Sequence, residues 1–188
     1  MTDCVFPGAS LRARLLDTAL AAARRGWPVL PLLPGTELPA TGAGVDGKTP
    51  WEAATTDPAR VRSLWSSDAF NIGMAPGPAR LLVVGLDDQE AGGETSLREL
   101  CERHGEPVPE TRTVRMWDGS AHLYFTSPAA LRFPSTSGRL APGVSTHGWG
   151  TYVVASGSVV GGRRVETPGP ALINPLPGWL RTVLRDLR

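Results

Sequence analysis

The spacing of apolar residues predicts four helices, at Ser10–Arg25, after Asp57, at Thr95–His104 and within Asn174–Arg188. The second helix has the clearest start, because Asp57 can cap free N–H groups and Pro58 suits the first helical position. Gly105 is expected to end the third helix. The last helix is amphipathic and is expected to close the fold against the core.

Short apolar or alternating runs predict strands between these helices. They lie at Pro28–Leu33, Asn71–Met74, Arg80–Leu86, Thr111–Met116, Ala121–Phe125, Val144–His147 and Tyr152–Val154, with shorter candidates at Val159–Val160 and Val165. Most strands follow the third helix without further helices between them, so the order predicts an α+β domain. The Gly- and Pro-rich segments Gly35–Gly47 and Pro128–Pro142 are interpreted as long linkers.

Two of these strands carry residues with candidate chemistry. The buried run Leu81–Leu86 leads directly into Asp87 and Asp88, a common way for a sheet to deliver carboxylates to a strand end. On the other strand, alternation places Ser120 and His122 on one face. We expect the two strands to be neighbours in one sheet, with Asp88 and His122 on the same surface.

Six segments of the chain, taken in their order and spacing, carry a family resemblance. They are Ala19–Pro34, Gly47–Asp57, Asn71–Gly77, Leu81–Gly93, Gly119–Phe125 and Gly150–Ser158. Together they resemble the bifunctional DNA primase/polymerase N-terminal domain, a member of the archaeo-eukaryotic primase superfamily. The resemblance implies a mixed sheet flanked by helices, an activity as DNA primase and DNA-directed DNA polymerase, and two divalent ions, Mg²⁺ or Mn²⁺.

The family's acid pair is incomplete in this sequence. In the family an Asp-x-Asp or Asp-x-Glu stands on the first strand, and alignment on Gly92–Gly93 puts Asp88 at the second acid but Leu86 at the first. Asp87 is adjacent to Asp88, and neighbouring residues of a regular strand point to opposite faces. The two therefore make a weak metal site, and pairing Asp88 with Glu90 requires a longer strand.

The third acid of the family is also replaced. The family stretch Gly-Ile-Asp-Val-Arg aligns with Gly143–His147, which places Ser145 at the aspartate and His147 at the arginine. His122 matches the family's histidine. Two-ion phosphoryl transfer needs several anionic oxygens around ions about 3.5–4 Å apart. One carboxylate, one serine and two histidines are a poor magnesium site, so a Mg²⁺ or Mn²⁺ cofactor is in doubt.

The same resemblance implies nucleotide contacts. His122 takes the catalytic, phosphate-side role beside Asp88, Ser120 and His147 supply polar contacts on the same surface, and Lys48, in a Gly-Lys-x-Pro loop, is a more distant phosphate contact. An unperturbed histidine titrates near pH 6.5, so phosphate affinity is expected to strengthen from about pH 8 to 6. Trp117 and Trp149 are candidates for base stacking or for closing loops over the core.

Composition changes this picture only modestly. A chain of 188 residues fits a single primase/polymerase-like domain spanning 1–188, with no helicase domain. The net charge of +1 gives no electrostatic case for a nucleic-acid binder. No signal peptide or long apolar span is present, so a cytoplasmic location without membrane contact is expected. Cys4 and Cys101 are too far apart for a Cys-x-x-Cys metal site.

Three functions remain open from the sequence. The first is a catalytically impaired domain that binds a nucleotide or single-stranded nucleic acid. The second is an active DNA primase/polymerase with a rearranged metal set of Asp87, Asp88, Glu90 and His122. The third is a non-catalytic scaffold that binds an unknown protein partner, which the near-neutral charge favours.

Overall fold

The computed structural model describes residues 7–40, 48–87, 92–128, 131–133, 135–169 and 172–187. The helices in these ranges are α1 (Pro7–Arg24), α2 (Pro50–Ala53), α3 (Pro58–Leu64), α4 (Gly93–Arg103) and α5 (Gly178–Asp186). The strands are β1 (Val29–Leu32), β2 (Asn71–Met74), β3 (Leu81–Leu86), β4 (Thr113–Arg115), β5 (Ala121–Thr126), β6 (Thr136–Ala141), β7 (Val144–His147), β8 (Val153–Val154), β9 (Val159–Val160), β10 (Arg163–Arg164) and β11 (Asn174–Pro175).

The larger sheet is built around β3. It has the order β11-β5-β3-β7-β6, and β4 pairs with the part of β5 that precedes its contact with β11. All pairings are antiparallel except the parallel pairing of β11 with β5, so the sheet is mixed. A smaller antiparallel sheet has the order β1-β2-β8, and β9 and β10 form a separate hairpin.

Three apolar clusters divide the fold into layers. One face of the larger sheet packs against α4 and α5, through residues such as Val84, Leu97 and Leu180. Its other face packs against the smaller sheet, with Val83 and Tyr124 meeting Met74 and Val154. The outer face of the smaller sheet is covered by α1 and α3. Any polar group on β3 that faces away from α4 therefore lies between the two sheets.

The α+β class and most elements predicted from the sequence are confirmed. The Asp57 carboxylate accepts a hydrogen bond from the Ala59 N–H at 2.9 Å, with Pro58 at the start of α3, as the sequence predicted. Gly105 follows α4 with a φ of 67°. The prediction that β3 and β5 are adjacent strands is confirmed, because all six residues from Leu81 to Leu86 pair with β5. Within the described ranges, no helix combines the length and apolar character that a membrane crossing requires.

The interpretation of Pro128–Pro142 as a linker is wrong in its second half. Residues Thr136–Ala141 form β6, which pairs with β7 through an irregular register. The Thr136 and Thr146 hydroxyls also share a hydrogen bond of 2.7 Å across this pair. The short helix α2 was missed as well, although Thr49 and Glu52 form a capping box at its start. Most of the other linker, residues 41–47, lies outside the described residues.

Candidate functional site

Gly85 is the centre of the polar face of the larger sheet. It lies directly opposite His122 on β5 and opposite Ser145 on β7. Directly opposed residues of antiparallel strands project from the same face, so these three positions share one surface. A Cβ atom at position 85 would lie 2.5 Å from Ser145 Oγ and 3.0 Å from His147 Nε2. The absence of a side chain at Gly85 is what gives these two groups their space.

Two histidines and a serine form a contiguous polar cluster over Gly85. The rings of His122 and His147 have centroids 5.4 Å apart, and Ser145 Oγ lies 3.2 Å from His147 Nε2. His122 Nδ1 is buried and has no hydrogen-bond partner among the described residues. The cluster therefore offers imidazole nitrogens and a hydroxyl, groups that can both donate and accept hydrogen bonds.

Both imidazoles are neutral near pH 7. The pKa of His122 is lowered to about 3, mainly by burial and then by the nearby His147, while the charge of Asp118 acts in the opposite direction. Burial also lowers the pKa of His147. A charged imidazole loses much of its hydration when it is buried, which is why the neutral form is favoured. The expected gain of phosphate affinity between pH 8 and 6 assumed an unperturbed histidine pKa, and that assumption is wrong for both His122 and His147.

Asp87 is held at the end of β3 by backbone contacts. Its N–H donates to the Gly143 carbonyl at 2.8 Å, and its carbonyl accepts from the Gly93 N–H at 2.8 Å. A Cβ atom at position 93 would approach three of these backbone atoms within 2.6–2.8 Å. Gly92 adopts a left-handed conformation, with a φ of 58°, at the start of α4. Gly93 therefore holds the start of α4 closely against the backbone of Asp87 at the end of β3.

These residues line a cleft of about 410 Å³ between the two sheets. The opposite and lateral walls are built from Met116, Trp117, Thr151, Tyr152, Val153 and Val154. Three carboxylates, those of Glu37, Asp87 and Asp118, also line it, and the described lining residues include no lysine or arginine. Burial, and then the charge of Asp118, raise the pKa of Glu37. Neutral histidines do not offset this negative charge.

The structure brings together most of the site residues predicted from the sequence. Asp87, Ser120, His122 and His147 all line the cleft. Lys48 is exposed and does not belong to the described lining of the cleft. Asp88 and Glu90 lie outside the described residues, so their part in the site stays a prediction.

Leu86, which the sequence alignment placed at the family's first acid, does not turn its side chain toward the cleft. Leu86 is 4% exposed and packs in the core with α4, opposite Ala121 and Val144. The alternation of β3 then assigns the cleft side to Gly85 and, two residues on, to Asp87. On the cleft side, β3 therefore presents a glycine and then leads into Asp87.

Other lining residues were missed or assigned differently. Glu37 comes from a distant loop, and no local signal in the sequence marks it. Asp118 lies in the turn before β5, where its carboxylate accepts a hydrogen bond from the Ser120 N–H at 2.9 Å. Its position in the sequence, next to a strand predicted to carry site residues, could have marked it as a candidate. Of the two tryptophans predicted to stack, Trp117 lines the cleft. Trp149 lies in a different pocket, beneath Arg132.

Comparison with protein families decides the assignment of the fold. The family model of the bifunctional DNA primase/polymerase, N-terminal, matches residues 19–179. The chain belongs to this family. The comparison with curated proteins gives no match. Within the described residues of this primase/polymerase domain, no group of three or more His, Cys, Asp or Glu side chains is placed to share a metal ion.

Proposed function

We propose that this primase/polymerase-family domain binds a nucleotide in the cleft and catalyses nucleotide transfer weakly or not at all. One observation carries the proposal: Gly85 occupies the position of β3 that lies between His122 and Ser145. Ions that bind both the attacking and the leaving oxygen need several carboxylates around them. Among the described residues at the end of β3, only Asp87 offers a carboxylate to the cleft that could help to hold a metal ion.

The remaining donors support binding without a required metal ion. Magnesium takes oxygen ligands and keeps several of its waters, whereas His122 and His147 offer imidazole nitrogens and Ser145 a hydroxyl. These three side chains do not fit a pair of magnesium ions, and within the described residues the cleft carboxylates are not grouped with the histidines closely enough for three such side chains to hold one ion. We therefore expect neither Mg²⁺ nor Mn²⁺ to be needed for nucleotide binding, and no catalytic step is assigned to such an ion.

The charge of the cleft favours the nucleoside part of the ligand over its phosphates. Bare phosphates would be repelled by Glu37, Asp87 and Asp118, because like charges within a few ångströms repel by about 1–4 kcal/mol at a protein surface. Carboxylates instead accept hydrogen bonds from sugar hydroxyls and base amino groups. Ser120 and His122 add polar contacts, and the volume of about 410 Å³ is within the ~300–1,000 Å³ range of small-molecule sites.

Binding measurements test this proposal directly. Purified protein would be titrated with nucleosides, nucleoside triphosphates and single-stranded DNA, with and without Mg²⁺ or Mn²⁺. We expect saturable nucleotide binding that persists without metal and that His122→Ala weakens by about tenfold, the equivalent of one buried hydrogen bond. The exposed His104 supplies the matched control, His104→Ala, which should leave the affinity unchanged.

Primer extension tests the catalytic part of the proposal. With manganese as the permissive ion, we expect incorporation of deoxynucleotides to be absent or very weak. Gly85→Asp combined with Ser145→Ala adds a carboxylate and removes the hydroxyl that would obstruct it. Gly85→Asn with Ser145→Ala has the same shape without the charge. If manganese binding rises in the Gly85→Asp double variant but not in the Gly85→Asn one, the lack of a carboxylate at this position explains the weak catalysis.

The other two functions predict different results in the same experiments. Robust extension that Asp87→Asn abolishes would support an active enzyme with a rearranged metal set that includes Asp88 and Glu90. Absence of binding to every nucleotide and strand would support a scaffold that binds a protein partner. Lys48 stays a candidate distant phosphate contact, which Lys48→Gln tests through the difference between nucleoside and triphosphate affinity.

A further inference from the structure

A smaller pocket, of about 100 Å³, lies at the end of α1 and is lined by residues of both sheets. Its charged and aromatic walls are Arg25, Trp27, Arg112 and Tyr124, and Ser156 closes one side. Trp27 and Tyr124 stack with ring centroids 6.4 Å apart. The pocket and the cleft carry charges of opposite sign, because the described residues that line the pocket include two arginines and no carboxylate.

The two arginines share Trp27 as a common wall. The guanidinium carbons of Arg25 and Arg112 lie 5.6 and 5.9 Å from the Trp27 ring centroid. Arg25 is close enough that its charge lowers the pKa of Arg112, although burial is the larger cause of that lowering. Two like charges held over one ring repel each other, and an anion between them would relieve that repulsion.

Neither arginine has an acidic partner among the described residues. The ion pair found among the described residues joins Arg115 to Glu94, neither of which lines this pocket. Among the described residues, the Arg112 guanidinium donates one hydrogen bond, from its Nη2 atom to Thr167 Oγ1 at 3.2 Å. Its Nε atom is buried and has no partner within the described part of the chain. An unpaired buried guanidinium N–H is costly, which makes this group a strong donor for an incoming anion.

We infer that Arg25 and Arg112 form a binding site for a single phosphate group, separate from the cleft. Guanidinium groups match the geometry of phosphate oxygens, and two of them line this pocket, each in contact with the Trp27 ring. A pocket of about 100 Å³ is well below the ~300 Å³ of nucleotide-sized sites, so any nucleoside attached to the phosphate stays outside. The inference does not depend on the proposed nucleotide site.

A pair of arginine variants at the end of α1 tests the site. Arg25→Gln removes a lining charge from a side chain with no described hydrogen bond. Arg24→Gln removes the same charge from the exposed neighbour, which does not line the pocket. Inorganic phosphate would be titrated by calorimetry in a low-salt chloride buffer. We expect Arg25→Gln to weaken phosphate binding by about tenfold or more and Arg24→Gln by less than about twofold.

The source of the phosphate is distinguished by two further ligands. A mononucleotide and an oligothymidylate with hydroxyl ends would be titrated against the native chain and both variants. Loss of affinity in Arg25→Gln for the mononucleotide alone assigns the site to free nucleotides, and loss for the oligomer assigns it to a strand backbone. Equal effects of the Arg24 and Arg25 changes, or no saturable phosphate binding to the native chain, would overturn the inference.

Discussion

The neutral state of His122 makes the stability of the fold depend on pH in a predictable direction. The pKa of His122 is lowered from 6.5 to about 3 in the folded protein. The unfolded chain therefore binds a proton between these values that the folded chain excludes. The contribution of neutral His122 to the free energy of unfolding is fully present above pH 6.5 and is lost as pH falls from 6.5 toward 3.

The size of the loss follows from the same two pKa values. At pH 4.5 the unfolded histidine is two pH units below its pKa, whereas the folded His122 is still largely neutral. Each pH unit corresponds to about 1.36 kcal/mol, so His122 alone should remove on the order of 2–3 kcal/mol of stability between pH 7 and 4.5. Titrating carboxylates add their own contributions, which a comparison of variants cancels.

Urea unfolding followed by tryptophan fluorescence measures this contribution. The free energy of unfolding would be determined at pH 7 and 4.5 for the native chain, His122→Gln and His104→Gln. We expect the difference between the two pH values to be about 2–3 kcal/mol smaller in His122→Gln than in the native chain. His104→Gln should retain the native difference, because His122 is still present. An NMR titration of His122 with a midpoint near 6.5 would refute the reasoning.

Three further substitutions test the packing that positions the site, each through the free energy of unfolding. Asp57→Ala removes the cap of α3 and should lower the free energy of unfolding by about 1 kcal/mol. An unchanged value would contradict a stabilising role of the cap. Gly93→Ala drives a Cβ into the backbone of Gly143 and should cost about 3 kcal/mol or more, whereas Gly178→Ala, in open space, should be nearly neutral. Leu180→Ala, at a position 1% exposed, should cost about 2–5 kcal/mol, and a smaller value would contradict its place in the core.

The parts of the fold that could be predicted from the sequence are those encoded by neighbouring residues. Asp57 and Pro58 mark the start of α3 because a cap and its N–H partner are two residues apart. The alternation of Ser120 and His122 gives one face of β5, because side chains of a strand repeat every second residue. Both predictions used spacings that fit within a single element.

The parts that could not be predicted depend on contacts between distant segments. Alternation along β3 separates its two faces, but only the pairing with β5 and β7 places Gly85 beside His122 and Ser145 and turns the Leu86 side chain into the core. Strand β6 was hidden because its apolar content is low and its pairing with β7 supplies the order. Glu37 reaches the cleft from a loop far from the site strands, so no local pattern could place it there.

Gly85 is packed closely against the residues around it. A Cβ atom at this position would lie 2.5 Å from Ser145 Oγ, a distance that side chains do not adopt without moving. Gly85→Ala alone should therefore destabilise the fold by about 1–3 kcal/mol through overpacking.

Removal of the obstructing hydroxyl should relieve most of this cost. We expect Gly85→Ala with Ser145→Ala to be more stable than the sum of the two single changes predicts, by at least about 0.5 kcal/mol. Strictly additive effects in urea unfolding would mean that position 85 is not packed against Ser145. Coupling of this sign also has a consequence for function. Restoring a carboxylate on β3 would then require a change at Ser145 as well, because the space that an acid needs is already filled by the Ser145 hydroxyl and the His147 ring.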